Sequence, residues 1–203
     1  MKPSVLMFAV LLAPAPAFAA APNFQYDYLD LGHARVQPQG SSTGSGPFAD
    51  LSCSIIDTVQ IRGSYSTLSY PLGVKYNDYS LGLTGEDRIT DSTDVYTDLL
   101  YINDRYDHLG TYVSDNGYRL AIGLRHHPWN WDRLEFDGYL AHNFIGATIG
   151  RGAGSQSFYL PQSSNEVGVG AMFDATSWLS LGLVVARDST QTEITTLKLR
   201  LYF

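Results

Sequence analysis

The sequence predicts an all-β fold: a transmembrane antiparallel up-and-down β-barrel of ten strands, with eight as the alternative count. Three observations carry that prediction. Segments of roughly 9 to 11 residues, the length that crosses a bilayer as a tilted strand, place apolar side chains at every second position. The opposite face of these segments collects arginines and carboxylates among glycines and serines, while lysine occurs only at Lys2, Lys75 and Lys198. The connections alternate between short turns and longer loops.

Residues 1–19 read as a secretory signal peptide rather than as part of the fold. Lys2 supplies the positive start, Val5 to Leu12 the apolar run, and Ala17-Phe18-Ala19 a small-x-small cleavage site. Pro14 and Pro16 interrupt the run well before the roughly 20 residues that a membrane helix needs. The barrel domain is therefore expected over residues 20–203.

From Asn23 onward the strands follow in order. The first is expected near 24–35. In the second, Ala49, Leu51, Cys53 and Ile55 oppose Asp50, Ser52 and Ser54; in the third, Val59, Ile61, Gly63 and Tyr65 oppose Gln60, Arg62, Ser64 and Ser66. Strands near 78–86 and 94–104 come next, with facing left open where Leu99-Leu100-Tyr101-Ile102 is apolar on both sides. Residues 118–126 set Tyr118, Leu120, Ile122 and Leu124 against Arg119, Ala121, Gly123 and Arg125, and residues 134–142 set Leu134, Phe136, Gly138 and Leu140 against Glu135, Asp137, Tyr139 and Ala141. Residues 166–173 and 179–186 repeat the pattern. In the last strand Thr195, Leu197, Leu199, Leu201 and Phe203 form one face, with Lys198 and Arg200 on the other. Two cations between leucines cannot both sit in hydrocarbon, so one face is wet. No window of helical length keeps a 3.6-residue apolar stripe.

Alternation alone also fits a soluble sandwich. The wet face decides between them: Asp50, Arg62, Glu86, Asp98, Arg119, Arg125, Glu135, Asp137, Glu166, Lys198 and Arg200 suit a narrow lumen in which opposite charges pair. Short connections are expected around Asp57-Thr58, Asp87 to Thr93, Pro128 to Arg133 and Asp174 to Trp178, and long ones at 37–46, 105–115 and 145–164. Trp129, Trp131 and Trp178 fall on the short-turn side together with Phe203, Phe24 and Tyr26, which predicts an aromatic girdle there.

Composition agrees. Of 203 residues, 44% are hydrophobic but only 16% are charged, below the roughly 25% of soluble domains. A net charge of −7 leaves no basic footprint for nucleic acid, and Cys53 stands alone, so no intrachain disulfide forms.

On these residues, the signal site, the repeated amphipathic strands and the run Leu197-Lys198-Leu199-Arg200-Leu201-Tyr202-Phe203, the chain resembles the small Gram-negative outer-membrane β-barrel proteins, a porin-like and OmpA-like superfamily. Phe24 to Gly32 also resembles the first strand of ten-stranded members. The resemblance implies the cell outer membrane as location, the lipid bilayer and lipopolysaccharide as surroundings, and the barrel-assembly machinery as a partner reading Leu197, Leu199, Leu201 and Phe203. Strand addition gives that recognition a physical basis.

Catalysis finds little support. His126 and His127 are sequence neighbours on a strand, so their rings point apart and share no metal. His142 and His33 lie toward the long-loop ends of their strands, and His108 falls in a loop. The lipid A deacylases of this size class carry His-x-Ser, which no histidine here matches, and the omptin-type proteases are considerably longer. Gly150 to Gly154 lacks the lysine and strand-to-helix context of a phosphate loop. No catalytic, cofactor or metal residue is assigned. The expected role is a monomeric barrel whose polar lumen is plugged by paired ions, structural or surface-interacting through loops 37–46 and 145–164. The alternatives are a narrow channel for small solutes and, third, an outer-membrane hydrolase centred on His142.

Overall fold

A computed structural model describes residues 24–108, 111–128, 131, 133–146 and 163–203. The expected signal peptide, Trp129 and most of the 145–164 loop lie outside them. Ten strands follow one another: β1 (Tyr28–Gln37), β2 (Gly44–Ile56), β3 (Val59–Ser69), β4 (Lys75–Thr90), β5 (Thr93–His108), β6 (Thr111–His126), β7 (Leu134–Gly146), β8 (Ser164–Thr176), β9 (Leu179–Asp188) and β10 (Glu193–Tyr202). Each pairs antiparallel with the next, and β10 returns to β1, with Tyr28 opposite Tyr202 and Gln37 opposite Glu193. Closure leaves no sheet edge along the shared register, and this is what lets a β structure sit in lipid with its backbone groups satisfied.

The alternation read from the sequence is the division between wall and lumen. Leu31, Leu51, Ile61, Leu83, Leu99, Ile122, Leu140, Val169, Leu183 and Leu197 are exposed on the outside, one from each strand. Asp30, Asp50, Asp98, Arg125, Glu135, Glu166 and Arg200 are buried inside. A soluble barrel would invert this arrangement, so the chain folds as a transmembrane barrel of the outer-membrane type. Leu99 and Tyr101 face outward and Leu100 lines the interior, which settles the run that was apolar on both sides.

Aromatic side chains mark both limits of the apolar band. At the outer limit Tyr65 packs on Tyr79 with ring centroids 4.8 Å apart, Tyr101 on Tyr118 at 5.7 Å, and His142 on Phe144 at 4.2 Å. At the inner limit Phe136, Phe173, Trp131, Trp178 and Phe203 are exposed. Two members of the expected girdle depart from it. Phe24 and Tyr26 are on the expected side, but they are buried in the mouth of the lumen, because Arg125 offers their rings a cation.

The loops depart from expectation as well. Residues 105–115 are not a long loop: β5 and β6 continue as a ladder to the pair His108 and Thr111. The segment alternates as a strand does, with Tyr106 and Asp104 buried inside and Arg105, Asp107 and Tyr112 outside. Arg105 donates to Asp107 at 2.9 Å and lies 4.6 Å from the Tyr112 ring, which supports the ladder where no lipid surrounds it. Residues 37–46 likewise shrink, because Gly44, Ser45 and Gly46 pair with β1. The connections on the short side are short, with a turn at 57–58, while the expected 87–93 and 174–178 shrink to turns at 91–92 and 177–178 because β4 runs to Thr90 and β8 to Thr176. The asymmetry between the ends thus lies partly in strand length: β4, β5 and β6 each run 16 residues, past the outer tyrosines.

Candidate functional site

The lumen gathers nearly every ionic group that the wall excludes. Its arginines reach sideways to carboxylates one or two strands away. Arg62 on β3 donates to Asp50 on β2 at 2.7 Å and to Asp98 on β5 at 2.8 Å, and Asp98 also accepts from Thr84 at 2.7 Å. Arg200 and Lys198 on β10 both hold Asp30 on β1, at 2.7 and 2.9 Å. Higher in the lumen, Arg119 on β6 grips Glu166 on β8 through two bonds of 3.0 Å, with Tyr139 of the intervening strand donating to the same carboxylate at 2.7 Å. Bidentate geometry makes these the strong class of ion pair. A buried pair stabilises little net of its desolvation, but removing one partner is costly, so the set fixes which residues must lie side by side.

Glycines make room for the large lumenal side chains. Tyr96 stands opposite Gly123, Tyr139 opposite Gly168, Phe48 opposite Gly32 and Met172 opposite Gly182. A methyl at Gly123 would come 2.3 Å from the Tyr96 ring, and one at Gly168 equally close to Tyr139. With its ring laid over the neighbouring glycine, Tyr96 reaches past β6 to donate to Asp137 on β7 at 3.0 Å. The abundance of Gly and Tyr in the composition is thus a packing requirement of a narrow barrel.

The end where the short turns lie is narrowed by the chain that precedes β1. The residues before β1 fold up into the mouth: Phe24 stacks on His127 with centroids 4.6 Å apart, Tyr26 donates to Asp94 at 3.3 Å, and Asp27 accepts from the backbone N–H of Ser54. Arg125 organises this packing. Its guanidinium pairs with Glu135 at 2.7 Å, donates to the carbonyl of Gln25 at 3.3 Å, and lies 5.0 and 4.6 Å from the Phe24 and Tyr26 rings. A cavity of about 430 Å³ occupies the lumen, lined by Tyr26, Arg125 and Glu135 toward the short-turn end and by Asp78, Asp104, Tyr76 and Tyr106 toward its outer end.

The ionic residues read from the sequence as facing the wet side reach the interior together. Sequence reasoning missed Asp30, Asp78, Asp94, Asp104 and Asp115. Asp30 was legible in the phase of Tyr28, Asp30, Gly32 and Ala34 against Leu29 and Leu31. The others sit in strands whose two faces are both partly apolar or which were expected to end earlier. The histidines stay apart: His126 is exposed and bonded to Thr93, His127 is buried beside Glu135, and His142 bonds Asn165 on the outer wall. Among the described residues no group of three or more His, Cys, Asp or Glu is placed to hold a metal ion.

No family model and no curated protein matches the sequence. Among solved structures the chain is similar to the KdgM porin in complex with disordered oligogalacturonate, at 12% identity, covering 87% of this chain and 99% of that one, with a TM-score of 0.46. It is also similar to Neisserial surface protein A, at 12% identity over 87% and 95% of the two chains with a TM-score of 0.45. A third is the translocator domain of autotransporter NalP from Neisseria meningitidis, at 9% identity over 87% and 88% with a TM-score of 0.47.

Proposed function

We propose that the chain is a monomeric barrel of the cell outer membrane whose lumen is closed to solute flow and whose outer end meets partners at the cell surface. The observation that carries this reading is the closure of the mouth by Phe24 to Asp27 around Arg125. Its aromatic rings, ion pair and backbone bonds all act in the same constriction. The outer extension of β4 to β6, with Asn77, Arg105, Asp107, Tyr112 and Asn116 on its outward face, is the surface such a partner would meet, together with the turn at 38–43. Residues 1–19 would direct export. A lipid-facing apolar residue on every strand supports a monomer surrounded by lipid and lipopolysaccharide.

The cavity favours one second reading, a narrow channel. Planar-bilayer recording of the purified protein separates the two. No unitary current is expected from the complete protein, and a well-defined conductance step from it would overturn the closed reading.

Assembly in the membrane is proposed to use strand β10, whose outward Leu197, Leu199, Leu201 and Phe203 present alternate side chains for strand addition. Replacing Phe203 with Asp is expected to lower the heat-modifiable, folded fraction in cells while leaving folding into synthetic vesicles intact. An unchanged folded fraction in cells would remove Phe203 from that role.

A further inference from the structure

The ionic groups of the lumen do not balance evenly along its length. Arg62, Arg119, Arg125, Lys198 and Arg200 are each committed to a carboxylate at or below the level of Glu166. Among the described residues no arginine or lysine side chain lines the outer end of the cavity. Asp78, Asp104 and Asp115 stand in one row across β4, β5 and β6, each opposite the next in register. Asp104 and Asp115 are buried, and the carboxyl groups of Asp78 and Asp104 lie within hydrogen-bonding reach of each other. Two carboxyls so close coexist by sharing a positive charge, whether a proton or a bound cation.

The surroundings show what kind of cation fits. Tyr76 and Tyr106 stack with centroids 4.6 Å apart, and Tyr76 donates to Asp104 at 2.7 Å, so aromatic faces and carboxyl oxygens border the same part of the cavity. Ile145 and Ile194 line it from β7 and β10, on the other side of the barrel. A hydrated metal ion gains nothing from isoleucine and tyrosine faces. An alkylammonium does: its charge replaces the shared proton, its C–H groups and charge meet tyrosine rings, and its chain meets the aliphatic wall.

We propose that the outer half of the lumen is a binding site for small organic ammonium compounds, with Asp78 and Asp104 as the anionic pair and Tyr76 and Tyr106 as the aromatic wall. This rests on reading the lumen as a cup closed below, and it names the ligand class of that cup. The cavity of about 430 Å³ runs from Tyr26 and Glu135 to Tyr106, and the proposed site is its outer part.

The test is calorimetric titration of the complete protein in lipid nanodiscs with butylammonium, 1-butanol and butyrate, against empty nanodiscs. The three probes share a chain and differ in charge. Saturable binding of butylammonium is expected, with 1-butanol and butyrate at least tenfold weaker. The near-isosteric double variant Asp78→Asn/Asp104→Asn is expected to weaken butylammonium at least tenfold. Equal binding of the three probes, absence of butylammonium binding, or an unchanged affinity in a folded double variant would each overturn the proposal. If that variant does not fold, the probe series on the unaltered protein decides alone. Bilayer current is a separate readout: a conducting protein that still saturates with butylammonium contradicts only the closed-lumen reading, and a silent one that binds none contradicts only the ammonium site.

Discussion

Arg125→Leu is expected to lower the stability of the folded barrel by about 3–5 kcal/mol, the range for removing one member of a buried ion pair. The side chains of Arg125 and Glu135 are 5% and 4% exposed, and the arginine holds the carboxylate at 2.7 and 2.8 Å. Without it the Glu135 carboxylate is left beside the imidazole of His127, at 3.8 Å, and the more distant Arg200. The same change strips Phe24 and Tyr26 of the guanidinium between them and Gln25 of its donor. The loss is read from the shift in urea midpoint for folding into lipid vesicles. The double variant Arg125→Leu/Glu135→Leu should recover much of it, because the cost of a broken pair lies mainly in the charge left behind. A single variant as stable as the unaltered protein would mean that Glu135 is solvated and the mouth open.

Ile122→Arg is expected to cost about 2–4 kcal/mol in the same assay, the penalty for a cation at the bilayer midplane on the lipid face of a barrel. Ile122 is 53% exposed and flanked on its strand by Leu120 and Leu124, with Leu140 opposite it on β7. The matched control is Asn116→Arg on the same strand. Asn116 is exposed beyond Tyr118, outside the apolar band, and there the same side chain should cost about 0–1 kcal/mol. Equal costs at the two positions would contradict a lipid-facing wall, since exposure alone does not distinguish them.

The wall was legible because its signal is local. Leu120, Ile122 and Leu124 alternate with Arg119, Ala121, Gly123 and Arg125, and a period of two assigns each to a face without reference to any other strand. Strand limits above the membrane were less legible. Beyond the tyrosines both faces of β5 and β6 meet water or lumen, so Arg105 to Asp115 carries no apolar stripe and reads as loop although Arg105 to His108 pair with Thr111 to Ser114. Phe24 and Tyr26 show the same limit at the other end: the sequence puts two aromatic rings on the inner side, but only the position of Arg125, about a hundred residues away, draws them inward.

By itself, then, the sequence determined the fold class, the strands within the apolar band and most of the ion-pairing residues that face the lumen there, because hydrocarbon on one side and water on the other act on each residue separately. Pairing was decided by the tertiary structure. Which carboxylate each arginine takes, which glycine lies beneath which ring, the folding of Phe24 to Asp27 into the mouth and the row of Asp78, Asp104 and Asp115 all depend on register between strands distant in sequence. Closing the barrel fixes that register, and with it which side chains are close enough to touch.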